Sequence, residues 1–261
     1  MSGNALTVEK LTKSFGGITA VSNVTLHIGK GELVGLIGPN GAGKTTLFNL
    51  LTGVYAPTSG DITAYLGEQP KSMRGMPPHK ISRVGIARTF QNIRLFSDLS
   101  VLDNVRIAMH NSIEYGFAAS FFHTKRYFEK EAQIKEQAIE LLGIFGLDKK
   151  TDELARSLPY GEQRHLEIVR ALATKPEILL LDEPAAGMNQ SETLELAETI
   201  SAIKSSYGLS VFLIEHDMSV VMSICERIYV LDYGVLIADG TPEEIRSNKK
   251  VIAAYLGEEK L

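Results

Sequence analysis

The 261-residue sequence has one cysteine, Cys225, so no intramolecular disulfide can form and a cysteine zinc site finds too few ligands. The neighbours Val220, Val221, Met222 and Ile224 put that thiol on a packed helix, as a small core residue. The first residues, Met1-Ser2-Gly3-Asn4-Ala5, lack the basic-then-apolar pattern of a signal peptide. Nor does any apolar run approach the about 20 residues a spanning helix needs. Short runs such as Ile178-Leu179-Leu180-Leu181 and Val211-Phe212-Leu213-Ile214 are what it has. A soluble cytoplasmic protein is expected, free to dock on a membrane partner. There is no basic excess: 27 Lys+Arg stand against 31 Asp+Glu, a net charge of -4, which argues against a chain that wraps nucleic acid. Low-complexity segments, repeats and Pro/Ser-rich linkers are missing too.

What is present is a chain that is 44% hydrophobic, enough for a large core. Leu6 to Ile28 alternates loosely, is rich in Val, Thr and Ile, and breaks at Gly16-Gly17, which predicts short antiparallel strands. Leu33–Ile37 predicts a buried strand, and Thr45–Leu51 a helix closed by Gly53 before the turn-like Ala56-Pro57-Thr58-Ser59-Gly60. From about 100 to 175 the pattern is mostly helical. Tyr127, Ile134, Ala138, Leu141 and Phe145 fall at helix-face spacings, and a second helix starts near Gly161 with Leu166, Val169 and Leu172 inward. Strand Ile178–Leu181, helix Ser191–Ser205, strand Val211–Ile214, helix Met218–Cys225 and strand Ile228–Leu231 then alternate, implying a parallel sheet covered on both faces. The chain reads as one domain with a helical insertion.

Gly38-Pro39-Asn40-Gly41-Ala42-Gly43-Lys44-Thr45 fits the pattern of glycine, four residues, then Gly-Lys-Thr, placed between a predicted strand and a predicted helix. Glycines there let backbone N–H groups turn inward around phosphates, and the helix N-terminus adds partial positive charge. Lys44 adds a full charge between β- and γ-phosphates, and Thr45, followed by Thr46, offers a hydroxyl for Mg²⁺. The alternative is a glycine turn with an incidental lysine. Downstream, Ile178–Leu181 runs into Asp182-Glu183-Pro184, delivering carboxylates to the C-terminal edge of the sheet. There Asp182 can hold Mg²⁺ through water and Glu183 can polarise a water for attack on the γ-phosphate. The alternative is a solvated strand end with two acids.

With these residues in hand, nearly the whole chain resembles the ATP-binding subunits of ABC transporters. Phe15 stands where that family has an adenine-stacking ring, and Gln91 in Thr89-Phe90-Gln91-Asn92 matches its Mg²⁺-sensing glutamine. Leu158-Pro159-Tyr160-Gly161-Glu162-Gln163 matches its signature, and Ala185-Ala186-Gly187-Met188-Asn189 its following loop. His216 matches its switch histidine. The resemblance implies a P-loop NTPase of the ABC type: an α/β fold with a mainly parallel sheet core, an N-terminal antiparallel β subdomain and an inserted helical subdomain. It would fill residues 1–261 as a single domain, the helical part spanning about 92–174. It implies ATP and Mg²⁺ as ligands, with Thr45, Gln91 and Asp182 on the metal and Glu183, Gln91 and His216 in the reaction. It also implies that Tyr160, Gly161 and Glu162 act in trans, on ATP held by a second subunit. Two departures stand out. Pro159, Tyr160 and Glu162 replace parts of the common Ser-Gly-Gly-Gln signature, and Asn189 stands where many relatives have aspartate.

The Tyr-Gly signature, Pro184–Asn189, and Arg88 to Phe96 resemble the LivG-type subunits of branched-chain amino-acid importers. So do the amphipathic stretch near 112–140 and the tail from Gly240 to Gly257. That resemblance implies a second ATPase subunit, transmembrane permease subunits and an extracytoplasmic substrate-binding protein as partners. The site of action would be the cytoplasmic face of the membrane. The alternatives are a lipopolysaccharide-transport ATPase, a soluble ABC ATPase acting on DNA or ribosomes, and a nucleotide-binding subunit with little activity of its own.

Overall fold

The computed structural model describes residues 3–110 and 125–256, which form two compact units. Residues 112–124 of the amphipathic stretch, the Tyr127 side chain and Gly257 lie outside the described residues. One unit comprises residues 1–88 and 177–261, the other Thr89–Pro176.

The first unit holds two sheets. β1 (Asn4–Phe15) and β2 (Ile18–Gly29) form the antiparallel hairpin expected from the alternation, turning where Gly16 adopts φ 56°. That left-handed conformation carries little steric cost only for glycine. β4 (Ser59–Ala64) pairs with β1 and β5 (Lys71–Ser72) with β4. The turn expected at 56–60 therefore ends at Thr58, because Ser59 and Gly60 join the ladder.

β3 (Leu33–Ile37) lies inside a second sheet ordered β10-β9-β3-β8-β7-β6. Its partners are β8 (Ser210–Ile214) and β9 (Arg227–Asp232), both parallel, while β7 (Ile178–Asp182) joins β8 to β6 (Ile86–Arg88). β10 (Val235–Gly240) closes the edge antiparallel. β3, β7 and β8 are buried at every position, which is why they read as unbroken apolar runs rather than as alternation. Helix Gln190–Tyr207 crosses from β7 to β8 and Met218–Ile224 from β8 to β9, while Lys44–Leu51 leads from β3 to β4, and the chain continues into Pro242–Ser247 and Lys249–Leu256. Leu47, Phe48 and Leu51 pack with Val34, Leu36, Phe212 and Ile214, the Phe48 and Phe212 rings 5.1 Å apart. Cys225 is buried as expected, and burial pushes its thiol up to about 12.

The second unit is helical. Val101–His110, Lys125–Gly143 and Tyr160–Ala173 bury Val105, Ile134, Ala138, Leu142, Leu166 and Val169 together. Phe145 falls beyond the end of the middle helix but still packs on this core. Ser100 caps the first helix by accepting the Asp103 amide at 3.0 Å.

Candidate functional site

The phosphate loop leaves β3 and enters the helix Lys44–Leu51, and its shape depends on two glycines. Gly38 has φ 149° and Gly43 φ 103°, and a Cβ at either position would strike a backbone carbonyl, of Leu231 and of Ala20 respectively. Gly41, at φ 78°, faces open space. Pro39 and Ala42 are buried, Asn40 is exposed, and the Ala42 amide donates to the Pro39 carbonyl at 3.1 Å. Gly234, in the turn between β9 and β10, donates to the Ala42 carbonyl at 2.8 Å and so holds the loop from behind. The buried Lys44 ammonium donates to the carbonyls of Gly38 at 2.6 Å and Pro39 at 2.9 Å. Thr45 is exposed and Thr46 half-buried in the first turn of the helix. Backbone amides, a helix N-terminus and one ammonium converge here, the donor set that suits a phosphate chain.

Parallel pairing carries the acidic residues to the same sheet edge. Asp182 lies opposite Ile214, and Leu36, just before the loop, lies opposite Ile214 on the other side. Asp182 is 1% exposed and accepts the Arg88 guanidinium at 2.7 Å. Arg88 also donates to Asn49 Oδ1 at 2.7 Å and Thr52 Oγ1 at 3.0 Å, both on the helix that follows the loop. The residues present thus fit Mg²⁺: a buried carboxylate and an exposed threonine hydroxyl, hard oxygen donors.

Glu183 has φ 49°, a left-handed conformation rare outside glycine, and its Oε1 lies 2.5 Å from His216 Nε2. The carboxylate is nearly buried, whereas the imidazole is half exposed. Glu215, beside His216, accepts the Ala185 amide at 2.7 Å and the His216 amide at 3.1 Å. Burial pushes the Glu215 carboxyl up; the two amides oppose the shift and the Glu183 charge adds to it. A carboxylate held by an imidazole beside a phosphate cradle can take a proton from a water and share it.

Phe15, at the end of β1, is exposed and meets Tyr55 edge-on at 5.1 Å, with Lys13 Nζ 4.9 Å from the Phe15 ring centre. Sequence reading missed Tyr55, because nothing in it links the end of β1 to the loop after the phosphate helix. It also passed over Arg88 and Glu215, whose signals are a lone charge ending a short apolar strand and a second acid beside the histidine.

The second unit carries Gln91 and the segment 158–163. Gln91 is exposed, and its carbonyl accepts the Arg164 guanidinium. Arg164, itself buried, also reaches the Phe90 carbonyl at 2.6 Å, Glu167 at 3.2 Å and the Tyr160 hydroxyl at 3.2 Å. Burial pushes the Glu167 carboxyl up, against the pull of the Arg94 amide and Arg164. Pro159 caps the helix Tyr160–Ala173 without a side-chain bond, and Gly161 lies in its first turn. Glu162 does not present a bare charge: both its oxygens accept Lys150 Nζ, at 2.7 and 2.6 Å. The other departure is also structural, for Asn189 caps Gln190–Tyr207 by accepting the amides of Ser191 and Glu192 at 2.9 and 3.0 Å. Asparagine and aspartate serve that purpose equally well.

Residues 21–186 match the family model described as ABC transporter, and 235–260 match the one described as branched-chain amino acid ATP-binding cassette transporter. The chain is 46% identical over 258 residues to the high-affinity branched-chain amino acid transport ATP-binding protein LivG of Salmonella typhimurium, covering 99% of this chain and 100% of that one. BraF of Pseudomonas aeruginosa, of the same description, is 46% identical with the same coverage. The lipopolysaccharide export system ATP-binding protein LptB of Escherichia coli is 35% identical, with 97% and 98% covered. In structure, the ADP conformation of MJ1267, an ATP-binding cassette of an ABC transporter, superposes with a TM-score of 0.82 at 29% identity, covering 97% of this chain and 99% of that one. The glycine cradle, the buried aspartate at the neighbouring strand end and these likenesses agree: the chain belongs to the ABC transporter family, as an ATP-binding cassette that hydrolyses ATP.

Proposed function

We propose that this cassette drives the uptake of branched-chain amino acids from the cytoplasmic face of a membrane, its two compact units working as one domain. The observation that carries the substrate is the 46% identity along essentially the full length to LivG and BraF, joined by the match at 235–260. The likeness to LptB, at 35%, is weaker and lacks that second support, so lipopolysaccharide transport is the lesser reading. Among the described residues no helix is long and apolar enough to cross a membrane, so the path for the cargo would belong to permease subunits. An extracytoplasmic binding protein would deliver the amino acid to them.

In this reading Gly38 to Thr46 wrap the triphosphate, Lys44 leaving the loop carbonyls to pair with phosphate oxygens. Phe15, with Tyr55 at its edge, stacks on adenine. Thr45 and Asp182 would hold Mg²⁺, which supplies charge neutralisation on the phosphates when bound. Glu183 accepts a proton from the attacking water, and His216 fixes that carboxylate and contacts the γ-phosphate. Tyr160, Gly161 and Glu162 present a helix N-terminus to the ATP of a second cassette subunit, with Lys150 cancelling the charge of Glu162. ATP then joins two subunits and hydrolysis parts them.

Uptake of labelled leucine, isoleucine and valine in cells lacking the chain tests the substrate. Restoration by the parent chain, but not by Lys44→Ala, is expected. Unchanged uptake without the chain would refute the cargo and leave the ATPase standing.

A further inference from the structure

We propose that Glu215 is a positioning residue for hydrolysis, which locks the Glu183 carboxylate against the His216 imidazole by tying together the loops that carry them. The inference rests on the reading of Glu183 and His216 given above.

The two loops follow adjacent parallel strands, β7 and β8, and each has a reason to drift. Glu183 sits at φ 49°, a conformation that persists in a residue with a Cβ only where its surroundings over-determine it. His216 is half exposed, so little packing holds its ring. At least three hydrogen bonds hold the Glu183 turn. Its own amide donates to the Ile214 carbonyl at 2.9 Å, and the Ala186 amide donates back to the Glu183 carbonyl at 3.2 Å. The third comes from the Ala185 amide to Glu215 Oε1, at 2.7 Å, the only side-chain acceptor among them.

Glu215 gives its other oxygen, Oε2, to the His216 amide. One buried carboxylate therefore spends each oxygen on a different loop, and it is 4% exposed. A buried carboxylate is costly, and its worth here is two amides satisfied at once, that of Ala185 in a buried bond. Because Glu215 acts through backbone, its loss would rotate Glu183 and His216 apart while leaving the phosphate loop untouched. Misplacement of a reacting group by about 1 Å can cost on the order of 100-fold in rate. The effect should therefore fall on kcat and spare ATP affinity.

The test compares Glu215→Gln and Glu215→Asp in the full chain, together with its membrane partners where turnover requires them. Gln keeps the shape but sets an NH₂ group against one of the two amides, donor against donor. Asp keeps the charge but withdraws it by one methylene, and carries the same test should the Gln variant not fold. The expected result is a kcat lower by roughly 10–100-fold, with KM for Mg-ATP and binding of a fluorescent ATP analogue within about twofold of the parent. In a His216→Ala background the Gln variant should cause no further loss, since both act on one arrangement. Multiplying losses would mark a merely structural role and overturn the proposal, as would parental kcat in both variants or lost ATP binding in both. Glu183→Gln, assayed alongside, keeps the two readings apart. If it turns over normally, the role of Glu183 fails; if it is inactive while both Glu215 variants run at the parental rate, only the inference on Glu215 fails.

Discussion

Arg88 and Asp182 form a buried ion pair at 2.7 Å, their side chains 5% and 1% exposed. Arg88 extends the same guanidinium to Asn49 and Thr52, so the strand end that carries the acid is bound to the helix that follows the phosphate loop. Breaking a buried pair from one side leaves the other charge uncompensated, at a cost of about 3–5 kcal/mol. Arg88→Met should lower the unfolding free energy by about that amount in urea titration. A change below about 1 kcal/mol would show that the pair contributes little.

Glu183→Gln should bind ATP as the parent does and lose turnover by at least about 100-fold, because the amide cannot take a proton from water. With Mg-ATP it should accumulate as a dimer on size-exclusion chromatography. Parental turnover would remove Glu183 from the reaction.

Lys44→Ala removes the one ammonium in the glycine cradle. Equilibrium binding of labelled ATP should weaken by more than about tenfold, given charge-assisted bonds to phosphate of roughly 1.5–3 kcal/mol. Gly43→Ala tests the cradle itself. Its Cβ would meet the Ala20 carbonyl at φ 103°, so ATP binding should fall although no charge has changed.

Lys150→Ala should expose the charge of Glu162 to any anion the signature segment approaches. The Glu162 bonds, foremost, hold the Lys150 ammonium above its ordinary pKa, so Lys150 stays charged throughout the neutral range. ATP-driven dimerisation should weaken in the variant and recover in Lys150→Ala combined with Glu162→Gln. Failure of the second change to restore it would show that Lys150 acts otherwise.

Cys225 should resist thiol reagents at pH 8 until the chain unfolds, since burial holds its pKa at about 12. Its folded pKa lies above the ordinary 9.0, so the neutral thiol favours the fold fully below pH 9 and that contribution declines as pH rises towards 12. Rapid labelling of the native chain would contradict this burial.

Much of this site could be read locally. The cradle, the acidic strand end and the histidine each depend on a residue type at a fixed distance from a strand or helix boundary, and such boundaries follow from apolar runs and glycine. β6 escaped because three residues carry no period, and β4 because its pairing begins within a Ser-Gly step that reads as a turn. Arg88, Tyr55 and Glu215 escaped for a different reason: their partners lie far along the chain or across a neighbouring loop.

By itself, the sequence determined the chemistry, for phosphate binding needs glycine φ values and a lysine that no distant contact can supply. Tertiary structure alone decided how charges are compensated. Lys150 meets Glu162 across a turn, Arg88 meets Asp182 from an edge strand, and Glu215 spans two loops. Burial makes an unpaired charge expensive, and only the folded chain shows which partner meets it.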